Sequence, residues 1–127
     1  MKSPVDLARK YLALADRDIK VFLKLVDDPD IDDEPVGFNA QQSVEKCLKA
    51  VLAYHQIEFR RTHDLKDLLG TFQNAHLPLP PFADQLHILN PFAVLFRYEF
   101  VEPEHVDRAQ ARQMVSALRK WAGERID

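Results

Sequence analysis

Apolar side chains recur along this chain at steps of four and three residues, the spacing that gathers them on one face of an α-helix. Ala8, Leu12, Ala15, Ile19, Phe22 and Val26 keep that rhythm unbroken and predict a first helix over about Pro4–Val26. Pro4 suits its first turn, where a missing N–H costs nothing, and Ser3 is placed to cap it. "DDPDIDDE", Asp27 to Glu34, interrupts the pattern with like charges and a proline, with Pro35 directly after it, and reads as a loop. From Val36 the rhythm resumes: Ala40, Val44, Cys47, Val51 and Tyr54 define a second helix, with Leu48 and Leu52 widening its stripe. "FRRTHDLKDLLG" supplies a basic connection and a third helix, with Thr62 as N-cap, Asp64 near the positive end, and Leu65, Leu68, Leu69 and Phe72 inward. "HLPLPP" is a stiff connector. Phe82, Leu86, Leu89, Phe92 and Phe96 predict a fourth helix, broken at Pro91, with Asn90 able to cap its second piece. The last helix is expected from about Pro103 or Glu104 to Ala122, burying Ala111, Met114, Val115, Leu118 and Trp121.

Little in the chain alternates with period two, and only three glycines are present. The class is therefore all-α, and helices joined by short connections pack most simply as an antiparallel up-and-down bundle of four to five helices. With 127 residues the chain is read as one domain, 1–127, long enough to bury roughly two-thirds of the surface its unfolded form exposes. The single Cys47 cannot form an internal disulfide, and no Cys/His spacing resembles a zinc site, so no metal or cofactor is expected. No run approaches the ~18 apolar residues of a membrane span, and "MKSPVDLARK" lacks a signal peptide's apolar core. The expectation is a cytoplasmic protein with no membrane contact. A net charge of −3 argues against a dedicated polyanion binder. Six of the twenty acids, however, lie in Asp27–Glu34, so the rest of the chain carries more cations than carboxylates.

Three constellations bear chemistry. Gln42, Glu45, Lys46 and Lys49 fall within an arc of about 100° on the second helix, opposite Val44 and Val51. They predict either a solvated face carrying a Glu45–Lys49 ion pair or a shared functional surface. His63, beside Arg60, Arg61 and Lys66, sits where the third helix would present free N–H groups to a phosphate, unless Thr62 and Asp64 already occupy those donors. Arg97 and His105 bracket the connection "FRYEFVEPEH": metal-free RNA cleavage needs a group that exchanges protons near neutral pH and a fixed cation for charge on phosphorus. Cys47 lies on the buried stripe, where a small apolar role outweighs a nucleophilic one.

Taken in order, "DLARKYLALADRDIKVFLKL", "AQQSVEKCLKAVLAYH", "THDLKDLL" and "RYE" after an apolar helix resemble the prokaryotic HEPN domains, small helical proteins often encoded beside a minimal nucleotidyltransferase. The resemblance implies a helical bundle that usually dimerises, with the Arg-to-His connection near the dimer cleft. Active members are metal-independent ribonucleases using an R-x4-6-H motif, several of them toxins in toxin–antitoxin modules; others bind nucleotides. Arg97 matches the motif arginine and His105 is the nearby histidine, with seven residues, Tyr98 to Glu104, between them. That longer spacing, and Tyr98 directly after the arginine, favour a module that binds a nucleotide or RNA, or a nucleotidyltransferase partner. On this reading Arg97 grips phosphate, Tyr98 stacks on a base, and Gln42, Glu45, Lys46, Lys49 and His63 line the site. The alternatives are an active ribonuclease with Arg97 and His105 as its catalytic pair, and a helical homodimer serving only as an interaction subunit.

Overall fold

The computed structural model describes residues 3–94 and 105–126. Among the described residues it is all-helical: α1 (Pro4–Leu25), α2 (Asp33–Tyr54), α3 (Leu65–Asn74), a 3₁₀ helix (Leu86–Phe92) and α4 (Arg108–Arg125). The first helix starts where its signals place it. Ser3 Oγ accepts from the Asp6 N–H at 3.1 Å and Asp6 returns a carboxylate to the Ser3 N–H at 3.3 Å, a reciprocal capping box.

The second helix is the axis of the bundle. α1 packs along it as the other half of a helical hairpin, α4 covers another side, and α3 with the 3₁₀ helix closes the remainder. Val36, Ala40, Val44, Leu48, Val51 and Leu52 are consequently buried. Pro35 does not keep α2 from starting at Asp33, because a residue in the first turn has no intrahelical use for an N–H. The acidic loop is therefore shorter than its charge run predicts.

That loop is held by one guanidinium. Arg108, at the start of α4, donates through Nε to Asp33 Oδ1 at 2.9 Å and through its terminal nitrogens to the carbonyls of Val26 (3.2 Å), Asp28 (2.9 Å) and Ile31. Arg112 pairs with Asp27 one turn further on. Carbonyls at the C-terminus of α1, which a helix end leaves without partners, are thus satisfied by a cation. Burial pushes the Asp33 carboxyl up, but the Arg108 hydrogen bond, the Val106 amide and the Arg108 charge outweigh it, with His105 adding to them, and leave it below its ordinary value.

Two expectations change in the second half of the chain. Instead of a fourth α-helix from Phe82, a single 3₁₀ element spans Leu86–Phe92 with Pro91 inside it. Leu86, Leu89 and Phe92, all buried, are spaced by three, which matches three residues per turn better than 3.6. Phe82 sits in the left-handed region at φ 60°, so no helix starts there, and Asn90 caps α3 instead of a second helical piece. The last helix begins at Arg108 with Asp107 as its cap, later than Pro103 or Glu104, and residues 105–107 precede it in non-helical backbone. Phe96 lies outside the described residues.

Candidate functional site

The polar arc of α2 is not a solvated face. Gln41 and Gln42 are buried, Glu45 is 3% exposed, and Lys46 and Lys49 are only partly open. Burying a carboxylate is costly unless both oxygens find donors, and here they do. Glu45 Oε2 receives the Lys49 ammonium at 3.1 Å, while Oε1 receives Gln41 Nε2 at 3.3 Å and stands 2.8 Å from His63 Nδ1. Gln41 Nε2 also donates to the His63 carbonyl at 2.8 Å, and its Oε1 accepts from Gln42 Nε2 at 2.7 Å. Lys46 leaves this cluster and pairs with Asp18 of α1. The Glu45–Lys49 pair expected from i,i+4 spacing exists, but inside the protein, with the ammonium also 5.9 Å above the Phe59 ring.

His63 stands just before α3, outside the helix. The N-cap is Asp64, not Thr62: its carboxylate accepts from the Lys66 N–H at 2.9 Å, and Thr62 Oγ1 accepts from the Asp64 N–H at 3.0 Å. Asn90 of the 3₁₀ helix accepts from the Leu65 N–H at 3.0 Å. These side chains occupy the donors at the helix start, so the N-terminus of α3 is not an open phosphate cradle. What the connection does expose is the His63 ring, 63% open although its Nδ1 edge is tied to a buried carboxylate. Arg61, two residues before it in the chain, and Lys66, three after, are exposed and without an ion pair among the described residues. Arg60 is paired with Asp67 at 3.7 Å.

His105 makes no contact with this cluster among the described residues and lies beside Asp33 of the acidic run. Its side chain is 88% exposed and Nδ1 is 3.5 Å from Asp33 Oδ2. Arg97 and Tyr98 lie outside the described residues. The burial of Cys47 pushes its thiol up to about 12, which disposes of it as a nucleophile. Between α1 and α4 runs a separate groove of about 650 Å³, floored by Ile19, Phe22 and Val115 and edged by the Arg119–Asp16 pair; none of the residues expected at a site lines it.

The model of the HEPN domain family matches residues 8–124. The chain belongs to the HEPN family. No curated protein and no solved structure matches it. Within this HEPN domain, Gln42, Glu45, Lys49 and His63 are brought into one connected set, while Lys46 is turned to α1 and His105 stands with Asp33 and Arg108. Gln41, the buried amide that links Glu45 to the His63 backbone, was not expected from the sequence. Its only signal is the doubled glutamine in "AQQSVEK", on a helix that periodicity alone would have given one apolar side.

Proposed function

We propose that this HEPN domain binds a nucleotide or an RNA end on the surface formed by His63, Arg61 and Lys66, and that it works as a homodimer beside a nucleotidyltransferase in a toxin–antitoxin type module. One observation carries the binding reading. The fold buries a carboxylate, Glu45, at a place where it fixes the edge of a histidine that is otherwise open to solvent. A merely structural carboxylate would serve as well with an internal partner, whereas this one orients a group that faces outward. Arg61 and Lys66 supply charge for phosphate, and Arg97 and Tyr98, by residue type, a phosphate grip and a base stack. Membership of the family supports the dimer and the partner. Titration of a labelled short single-stranded RNA, and of nucleoside monophosphates, tests the binding reading. Saturable binding is expected, weakened about tenfold by Arg61→Glu with Lys66→Glu, since each cation neutralises backbone phosphate. Absence of saturable binding at low salt refutes it.

A cleaving role for Arg97 and His105 is the second reading. It is supported by the exposure of His105 and by the Asp33 carboxylate near its Nδ1, an arrangement that can orient an imidazole for proton transfer. RNA incubated with the protein in EDTA decides: cleavage lost in both Arg97→Ala and His105→Ala supports this reading, and cleavage that neither substitution weakens removes it.

A further inference from the structure

The hydrogen-bond chain around Glu45 sets which nitrogen of His63 carries the proton. The His63 backbone carbonyl can only accept, so the Gln41 group 2.8 Å from it is the NH₂ end of the amide, and the same nitrogen donates to Glu45 Oε1. Gln41 Oε1, facing the other way, accepts from Gln42. Lys49 donates to the second carboxylate oxygen. Every other partner of Glu45 is thus a donor. A carboxylate surrounded by donors has nothing to give, so His63 Nδ1 must hold the hydrogen and pass it to Oε1. In the neutral ring Nε2 is then a bare lone pair, on a side chain that is 63% exposed.

A lone pair repels phosphate oxygen and accepts from hydroxyl. We infer that His63 reads a ribose hydroxyl of the bound nucleotide or RNA, with Glu45 as the positioning residue that keeps Nε2 an acceptor, while Arg61 and Lys66 take the phosphate. This rests on the binding reading above and gives it a specificity: ribonucleotide over its 2′-deoxy counterpart. The physical basis is that the 2′-hydroxyl is the donor a site can use to tell RNA from DNA. A site built to receive a hydroxyl loses that bond when the hydroxyl is absent.

The test compares one labelled oligoribonucleotide with the oligodeoxyribonucleotide of the same sequence at about pH 8, above the ordinary titration range of imidazoles. The wild type is expected to prefer the ribo form about threefold to tenfold, the fold-change of one neutral hydrogen bond. His63→Ala abolishes the preference, and because it takes one of three donors from the buried Glu45 carboxylate its retained fold is checked by circular dichroism at the assay temperature. Glu45→Gln also abolishes it, because its amide N–H can donate to Nδ1 and move the ring hydrogen to Nε2, turning the outward acceptor into a donor. Equal binding of both oligonucleotides by the wild type overturns the inference and leaves the binding reading standing. A preference that survives His63→Ala also overturns it. Failure to bind either oligonucleotide overturns both.

Discussion

Of the three glycines in this chain, all in helices, Gly37 and Gly70 face opposite surroundings, which makes the same substitution at each an internal comparison. Gly37 is buried near the start of α2, and a Cβ built on it would stand 2.4 Å from Cδ1 and Cγ of the Phe92 ring and 2.9 Å from Cδ2. Gly70 is in α3, and a Cβ there meets nothing within 4 Å. Neither has a left-handed backbone. Alanine in a helix interior is favoured over glycine by about 0.5–1 kcal/mol, so Gly70→Ala should stabilise by that amount. At Gly37 the same gain is opposed by overpacking. Ordinary contact begins near 3.4 Å, so the ring must retreat by about an ångström, and Phe92 is only 4% exposed, held in the 3₁₀ helix with Leu86 and Leu89. Overpacking of a core costs about 1–3 kcal/mol. The net expectation for Gly37→Ala is a loss of up to about 2.5 kcal/mol, and because the helix-propensity gain is common to both sites the two variants stand apart by the overpacking cost alone, about 1–3 kcal/mol. Urea unfolding followed by far-ultraviolet circular dichroism reads the difference directly, provided the denaturant slope is unchanged. Adding Phe92→Leu to Gly37→Ala should cost less than the sum of the single changes, because the smaller side chain relieves the clash. Gly37→Ala as stabilising as Gly70→Ala would refute the close packing of the Phe92 ring on α2.

The Arg108 clamp predicts that Arg108→Ala destabilises by about 3 kcal/mol, since it leaves several carbonyls and a half-buried carboxylate without a donor. The depressed Asp33 carboxyl contributes stability above its unfolded value of 3.8, and that part is lost as pH falls through the lower folded value. The penalty of Arg108→Ala, measured by denaturation, should therefore be smaller in strong acid than at neutral pH. Cys47 should not react with a disulfide reagent in the folded protein and should react fully in denaturant. Its raised folded value also works on stability: the unfolded thiol ionises from 9.0 while the folded one waits until about 12, so stability contributed by the neutral thiol declines across that interval. A thiol titrating normally in the native protein would contradict its burial.

The helical class, the start of α1 and the buried stripes of α1, α2 and α4 were legible from local physics alone. A four-three rhythm needs no knowledge of neighbours to say which face is apolar, and Ser3 caps within its own turn. The resemblance to HEPN domains was readable for the same reason, since it rests on ordered short segments. Where a prediction depended on what lay across the bundle, the sequence was silent or misleading. Periodicity assigns Gln42, Glu45 and Lys49 to the outer face of α2, but α2 is covered from several sides, and polar residues there become an internal network. Asn90 looks like the cap of a second helical piece until it reaches back 25 residues to the Leu65 N–H at the start of α3. The acidic run looks like self-repelling loop until Arg108, 75 residues beyond Asp33, and Arg112, 85 residues beyond Asp27, pair with those two carboxylates. Hydrophobic spacing is a property of one helix and can be read along the chain; the partner of a buried charge is chosen by three-dimensional proximity, and only the folded bundle decides it.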